Sequence, residues 1–319
     1  MKTWIDFDEA PVFAIPLVDG TDVCEGMLIE GPQGWGEFSP PRDLDERRAA
    51  RWLTAAIEVG TVGWPDPVRG RVPIAVTVPA VSAERAHEIV TGSGCSSAAV
   101  AVGAGSAAED IARLEAVRDA LGSGGSIRCD AGGLWDAEDA VAAAPVLDRA
   151  AGGLEFIADP CASVAETALA RARLDVPIAV GRLIYDAARP VDTDLADTAD
   201  LAVLTVSALG GVRRALRLAE TCGLPCVVRS ARESTVGAAG GLALAGVLPD
   251  CGFAHELGGV ALLSGDLVSA GRSLIPVDGH LPVAPMPAGP DPAQLTRFTA
   301  DSARVSWWRT RLVGVQRFI

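Results

Sequence analysis

The chain is almost without lysine. Among 319 residues the only lysine is Lys2, so 26 of the 27 residues counted as Lys or Arg are arginines. A lysine that acts as a base or forms a Schiff base would have to be Lys2, near a chain end where side chains are poorly held. The sequence also lacks a GxxxxGK[ST] phosphate loop and a GxSxG turn. Nucleotide hydrolysis and serine-triad hydrolysis therefore have no support.

Long apolar runs are absent as well. Hydrophobic residues make up 49% of the chain and the mean hydropathy is +0.29, which predicts a large core. We find no uninterrupted apolar stretch of about 18 residues, the length that a membrane-spanning helix needs. The first eight residues, MKTWIDFD, place acids ahead of any apolar segment, unlike a secretory leader. We therefore expect a cytoplasmic protein that does not contact membranes.

Positive charge and clustered cysteines are also scarce. A formal net charge of -14 repels polyanions, which excludes nucleic acid as an expected partner. The seven cysteines are scattered, with no CxxC pair and no Cys–His cluster, so no structural zinc site is predicted. Only Cys222 and Cys226 are near neighbours, on either side of a Gly-Leu-Pro turn. Buried, reduced thiols are the expectation.

The pattern of the first 60 residues is that of a small α+β unit. Extended segments are predicted at 11–18, 26–30 and 34–38. Apolar residues then recur at helical spacing over 43–59.

From residue 73 onward, apolar runs alternate with amphipathic helices. The runs predict strands at 74–78, 98–102, 126–129, 153–157, 178–180, 201–206, 226–229 and 252–254. Helices are predicted between them at 83–91, 107–121, 137–151, 164–173, 195–199, 212–222 and 234–245. This alternation indicates parallel βαβ units. Seven or eight such units in about 200 residues favour a closed (β/α) barrel.

Four segments carry a resemblance to a known family: GWGEF at 34–38, VPIAVTVPAV at 72–81, ALGG at 208–211 and SARESTVG at 230–237. They resemble the o-succinylbenzoate synthases of the actinobacterial type, which are members of the enolase superfamily. The resemblance implies an α/β fold, a (β/α)7β TIM-like barrel with an α+β capping domain. The implied division is a cap at 1–72, a barrel at 73–276, and a C-terminal segment at 277–319 that returns to complete the cap.

The resemblance implies three catalytic lysines, and this chain has none of them. Two form a KxK motif on the second barrel strand, where this sequence has Ala99 and Ala101. The third lies on the sixth strand, where it has Thr205. In the family the KxK pair acts as base and acid at a carbon next to a carboxylate, and the third lysine lies opposite that pair. A positioned base contributes about 10²–10⁴-fold in rate, so its loss removes a large part of that chemistry.

The resemblance also implies three carboxylates, at the ends of the next three strands, that bind magnesium. Asp130 matches the first, but Ala158 and Gly181 stand at the second and third. Glu155 and Asp159 lie nearby, and strand alternation predicts that both point away from the site. One carboxylate does not make a magnesium site without several waters or substrate oxygens. We therefore expect no metal, no other cofactor and no metal-assisted dehydration to o-succinylbenzoate.

The residues around the lost groups are the candidates for an altered site. Arg182 and Arg229 either bind the carboxylate of a ligand or pair with nearby acids. Asp130 is either a general acid or base or a salt-bridge partner. His255, at the end of the last strand, is either an acid or base at the barrel mouth or a structural histidine. The catalytic candidates are Asp130, Arg182 and Thr205; the candidate ligand contacts are Arg229, Ser230, Ser207, Ala99, Ala101, Ala158 and Gly181.

Two functions stay open at this point. One is a metal-independent lyase, cyclase or isomerase that acts on a small, largely apolar acid, as in natural-product pathways. The other is a catalytically inactive pseudoenzyme that binds a ligand or serves as a scaffold. An open cavity lined by free polar groups would favour the enzyme, and a barrel mouth filled by salt bridges would favour the pseudoenzyme. In either case the expected partner is a small molecule that carries a carboxylate.

Overall fold

The first element is an antiparallel sheet with a helix packed on it. The computed structural model describes residues 5–192, 195–284 and 286–319. The three strands pair in the order β1-β2-β3. Asp45 caps the following helix by accepting a hydrogen bond from the Arg48 backbone, so the helix begins after the predicted residue 43. The bounds are β1 Val12–Pro16, β2 Val23–Gly31, β3 Gly34–Phe38 and α1 Glu46–Thr61.

Glycine allows this helix to approach the sheet closely. A Cβ atom at Gly36 would lie 2.2 Å from the carbonyl oxygen of Ala56. One at Gly31 would lie 2.4 Å from the carbonyl oxygen of Gly60. Both distances are far shorter than a van der Waals contact, so any side chain at these positions would push α1 away from the sheet.

A parallel sheet of seven strands forms the second part of the molecule. Its order is β11-β10-β9-β8-β7-β6-β5, so neighbours in the sheet are neighbours in the chain. A short strand outside this sheet, β4, precedes it. The bounds are β4 Arg71–Pro73, β5 Ala75–Val78, β6 Ser97–Ala101, β7 Ser126–Asp130, β8 Ile157–Ala158, β9 Ile178–Val180, β10 Leu201–Leu204 and β11 Cys226–Val228.

Helices lie between these strands, as in parallel βαβ units. Their bounds are α2 Ala83–Ser93, α3 Ala107–Leu121, α4 Ala137–Ala151, α5 Val164–Arg171, α6 Arg182–Asp186, α7 Val206–Leu209, α8 Val212–Cys222 and α9 Thr235–Val247. Short 3-10 helices occupy Pro190–Asp192, Gly259–Leu262, Ala270–Arg272 and Gln316–Phe318. Over the described part of the chain, every helix is too short or too polar to span a bilayer.

Two isolated bridges close the sheet into a barrel. His255 pairs in parallel with Ile74 at one edge, and Glu256 pairs in parallel with Arg229 at the other edge. The predicted eighth strand at 252–254 is therefore replaced by these bridges at the next two residues, 255 and 256. The TIM-like barrel with an N-terminal capping unit is confirmed.

The barrel departs from the predicted pattern at its shortest elements. Strand β8 has only two residues and begins later than predicted. Gly152 and Gly153, with φ of 65° and 104°, form the turn that follows α4, where the strand was expected to begin. Strand β10 ends at Leu204, and α7 begins two residues later. The predicted helix at 195–199 is a turn.

The C-terminal segment returns to the first sheet. Strand β12 (His280–Pro282) pairs with β4, and helices α10 (Pro292–Arg297) and α11 (Ser302–Val315) follow. Trp308 on α11 is 1% exposed, and its ring meets Phe38 edge-on at 5.8 Å between centroids. The expected packing of the tail on the cap is therefore present, while the boundaries at 72/73 and 276/277 stay predictions.

Candidate functional site

A cavity of ≈ 490 Å³ lies between the barrel mouth and the loop that joins β1 to β2. The C-terminal ends of the barrel strands form its floor, which is where enzymes with this barrel place their sites. Five of the predicted site residues line this mouth cavity: Ala99, Ala101, Asp130, Arg229 and Ser230. The loop contributes Leu17, Val18, Asp19, Thr21 and Asp22.

Arg229 forms the centre of a charged cluster on the cavity floor. Its Nη1 lies 3.0 Å from Oδ2 of Asp130 and 3.5 Å from Oδ2 of Asp159. Its Nε lies 2.5 Å from Oε2 of Glu256. Burial alone would lower the pKa of the guanidinium, but Asp130, Glu256 and Asp159 raise this pKa well above its usual value. Arg229 is therefore charged, and one guanidinium faces three carboxyl groups.

Asp159 contradicts the expectation that it points away from the site. Strand β8 ends one residue earlier, and Asp159 has a φ of 48°, so strand alternation no longer sets its direction. Its Oδ1 accepts hydrogen bonds of 2.8 Å from the backbone N–H groups of Gly181 and Arg182. Burial raises the pKa of Asp159 to about 6, against the lowering effect of Arg229. Backbone hydrogen bonds thus hold the Asp159 carboxyl group at the cavity floor.

Arg182 was expected at the mouth, and the structure places its side chain elsewhere. Its Nε lies 3.3 Å from Oδ2 of Asp186, and its Nη1 donates a 2.9 Å hydrogen bond to the carbonyl of Gly132. The side chain is 47% exposed and does not line the mouth cavity. The physical reason is that Arg182 is the first residue of α6, and a helical turn directs it differently from a strand residue.

Four other predicted site residues lie outside the cavity lining. Ala158 and Thr205 are buried, and a Cβ on Gly181 would already lie 3.0 Å from the carbonyl oxygen of Val203. Ser207 borders only a void of ≈ 20 Å³ behind the cavity floor. Of the four small residues among the candidate ligand contacts, Ala99 and Ala101 therefore line the cavity, and Ala158 and Gly181 do not.

A second arginine fills the barrel below the cluster. Arg128 lies fully buried beneath Asp130 on the same strand. Its Nη2 is 2.5 Å from Oε2 of Glu155, and its Nη1 donates to the Ala254 carbonyl at 2.7 Å. The guanidinium also lies 4.8 Å from the ring centroid of Phe156, a cation–π contact. Asp130 therefore pairs with Arg229 and not with Arg128 or Arg182.

Two buried glutamates stand beside the cavity, and the sequence did not single them out as functional. Glu233 lines the cavity, and burial raises its pKa. Burial, together with the charge of Glu233, raises the pKa of Glu37 to about 8. Glu37 accepts hydrogen bonds from the hydroxyls of Ser39 at 2.7 Å and Ser234 at 2.5 Å. Their positions in the GWGEF and SARESTVG segments were the available signal.

His255 takes the structural role that the sequence left open. It is 2% exposed, and its Nδ1 accepts a hydrogen bond of 3.1 Å from the Val228 backbone. Burial lowers its pKa to about 4, so the ring is neutral near pH 7. The residue that does reach the cavity from this segment is the next one, Glu256.

Comparisons with family models and with known proteins point to the same family. Residues 12–60 match the model for enolase N-terminal domain-like proteins, and residues 81–290 match the model for enolase C-terminal domain-like proteins. The chain is 46% identical to the o-succinylbenzoate synthase of Thermobifida fusca over 309 residues, which cover 95% of both chains. It is 42% identical to that of Mycolicibacterium smegmatis over 314 residues, covering 97% of this chain and 95% of the relative.

Solved structures of lower identity share the fold. The 2-chloromuconate cycloisomerase of Rhodococcus opacus superposes with a TM-score of 0.77 at 21% identity, over 94% of this chain and all of its own. The L-Ala-D/L-Glu epimerase of Bacillus subtilis gives 0.75 at 19% identity, over 90% and 98%. With two domain models and full-length relatives in agreement, this chain belongs to the o-succinylbenzoate synthase family of the enolase superfamily.

Proposed function

We propose that this chain is a metal-independent member of its family that binds a small, largely apolar molecule in the mouth cavity. Under this proposal it does not carry out metal-assisted dehydration to o-succinylbenzoate. The observation that carries the proposal is the position of Arg229, whose Nη1 lies 3.0 Å from the carboxylate of Asp130. The charged guanidinium of Arg229 thus lies against Asp130, the one acid that matches a magnesium ligand of the family.

The residues at this point do not fit a magnesium ion. Magnesium requires near-octahedral coordination by oxygen atoms. Of the three matching positions, only Asp130 offers a carboxylate; Ala158 and Gly181 offer none. Both oxygens of Asp130 are engaged, Oδ1 by the Gly132 backbone and Oδ2 by Arg229. No group of three or more potential metal-binding side chains occurs within the described ranges, and a divalent cation would meet the guanidinium at close range.

The residues that stand at the lysine positions supply no replacement base. Ala99 and Ala101 are apolar, and the hydroxyl of Thr205 is weakly acidic and buried. Without a base and without an electrophile to stabilise an enediolate, a weak carbon acid would not be ionised at a useful rate. This supports a protein that has kept the barrel and the cavity but not the ancestral reaction.

The charge around the cavity disfavours the carboxylate ligand that the sequence suggested. Five carboxyl groups line it against two guanidinium groups. Arg229 is already paired with acids on its Nε and Nη1, and Arg232 is paired with Asp22. The cavity lining therefore carries a net negative charge, which would repel a carboxylate. An uncharged or cationic small molecule is the better match.

A series of matched probes tests this ligand class. Benzyl alcohol, benzylamine and benzoate have similar size and differ in charge. We expect benzoate to bind at least about tenfold more weakly than the other two, a difference of about 1.4 kcal/mol. Ligand-observed NMR titration of the wild-type protein measures all three affinities.

Two variants locate the binding. Ala101→Trp fills the cavity and should abolish the signal. Ala80→Trp, at an exposed position, should leave it unchanged. Benzoate binding that is tighter than that of benzyl alcohol and lost in Ala101→Trp would contradict the charge argument.

A metal-independent isomerase or lyase is the second candidate function, and Glu233 is the observation that favours it. Its carboxyl group is 7% exposed, lines the cavity and has a raised pKa because of burial. A carboxyl group whose pKa is raised holds its proton to higher pH, which suits a general acid. Incubation with a metabolite extract separates the two functions by mass spectrometry. An enzyme converts a component and Glu233→Gln loses that conversion, whereas a binding protein returns every component unchanged.

A further inference from the structure

A pair of cysteines faces each other at the end of the barrel opposite the mouth cavity. Cys222 is the last residue of α8 and Cys226 is the first residue of β11. Gly223, with a φ of 68°, reverses the chain between them. Strand β11 runs from Cys226 towards Arg229, so the pair lies a full strand length below the site described above.

The two thiols are close and point towards each other. Their Sγ atoms are 4.0 Å apart, and a disulfide bond needs about 2 Å. Among the described residues, neither sulfur is held by a side chain other than that of its partner. Each donates to a nearby backbone carbonyl, Cys222 to Ala219 at 3.6 Å and Cys226 to Leu224 at 3.3 Å. Side-chain rotation within one turn of chain can therefore bring them into bonding distance.

Cys222 is partly exposed, in contrast to Cys226 and most other cysteines. Cys222 and Cys251 are the two cysteines that are not fully buried, and the other five are buried. A cavity of ≈ 630 Å³, bordered by Cys226 and Cys251, opens beside the pair between α8 and the end of α9. Because Cys222 is itself partly exposed, a small oxidant can reach its sulfur from solvent. The hydrogen bond from Cys226 also lowers the pKa of Cys222, which favours its reactive thiolate form.

We propose that Cys222 and Cys226 form a reversible intrachain disulfide on exposure to a hydroperoxide. The Cys222 thiolate attacks the terminal peroxide oxygen, so that an S–O bond forms, the O–O bond breaks and an alcohol or water leaves. The Cys226 thiol then attacks the resulting sulfenic acid. An S–S bond forms, the S–O bond breaks, and water leaves with the Cys226 proton. Two thiols are oxidised and one peroxide is reduced. This site is independent of the proposed ligand binding.

Peptide mapping of the wild-type protein tests the proposal directly. The reduced protein is treated with one equivalent of hydrogen peroxide, alkylated with iodoacetamide and digested with trypsin. Cleavage at the arginines places both cysteines in one peptide, residues 218–229. We expect this peptide to lose two hydrogens and to escape alkylation, and dithiothreitol to reverse both changes. Two alkylated cysteines in this peptide after oxidation, or a Cys226–Cys251 bond, would overturn the proposal.

Serine variants assign the two roles. Cys222→Ser should leave Cys226 as a free, alkylatable thiol. Cys226→Ser should stop the reaction at a Cys222 sulfenic acid, which dimedone traps. Cys161→Ser, which removes a fully buried thiol, is the matched control and should form the disulfide like the wild type. A Cys226→Ser protein in which dimedone labels only cysteines other than Cys222 would contradict the order of the two steps.

Discussion

Replacement of Arg229 by methionine is expected to lower the free energy of unfolding by about 3–5 kcal/mol near pH 7.5, the cost of breaking a buried ion pair. The reason is that Asp130, Asp159 and Glu256 all contact this guanidinium. Methionine fills much of the same volume but offers no charge, so three carboxyl groups would remain together without compensation. Urea unfolding followed by circular dichroism measures the change.

Arg182→Met is the matched control for this prediction. Its side chain is 47% exposed and pairs only with an exposed acid and a backbone carbonyl, so the loss should stay within about 0.5 kcal/mol. The deficit of Arg229→Met should also shrink near pH 5, because burial raises the pKa of Asp159 to about 6 and protonation of this carboxyl group removes part of the repulsion. Equal free energies of unfolding of the two variants near pH 7.5 would show that Arg229 does not stabilise the carboxyl groups at the cavity floor.

Glu37→Gln is expected to flatten the pH dependence of stability between about pH 4.5 and pH 8. Glu37 has a pKa of about 8 in the folded protein, raised from 4.5 by burial and by Glu233. Between these values the folded protein keeps a proton that the unfolded chain has released. The stabilising contribution is therefore complete below pH 4.5, declines by about 1.4 kcal/mol per pH unit, and is lost above pH 8.

Glu37→Gln is tested by the slope of the free energy of unfolding against pH, and not by the free energy of unfolding at one pH. The amide also disturbs hydrogen bonds from Ser39 and Ser234, and that cost is the same at every pH. Over three pH units the variant should gain about 4 kcal/mol relative to the wild type. Glu84→Gln is the control, because backbone hydrogen bonding lowers the pKa of that exposed glutamate. Parallel curves for wild type and Glu37→Gln would refute the prediction.

The sequence predicted the barrel well because its helices carry complete local signals. Helices α3, α4 and α8 have the predicted bounds. Ser106 and Asp136 cap the first two, and Gly152 and Gly223 follow the last two in the left-handed conformation. The short strands were harder to place. Two or three residues are too few to show a period, and their limits depend on pairing with neighbouring strands.

Several of the predicted site residues line the mouth cavity, but most of their contacts were not predicted. Small residues at 99 and 101, Asp130 and Arg229 all reach the mouth cavity. Glu256 was missed because its segment joins the barrel by single bridges, which leave no strand pattern in the sequence. Asp159 was placed incorrectly because alternation was extended past the end of β8. Arg182 was placed incorrectly because it was taken for the end of a strand, whereas it begins α6. Ion pairs between residues far apart in the chain follow only from the closed barrel.

We propose that the guanidinium of Arg229 takes the place of a divalent metal ion beside Asp130. Calorimetric titration of the wild-type protein with manganese, after treatment with a chelator, tests this claim most directly. One paired carboxylate is a poor site for a hard cation. We therefore expect any dissociation constant for manganese to exceed about 1 mM, which corresponds to a binding free energy weaker than about -4 kcal/mol. Micromolar binding that is abolished in Asp130→Ala would contradict the account.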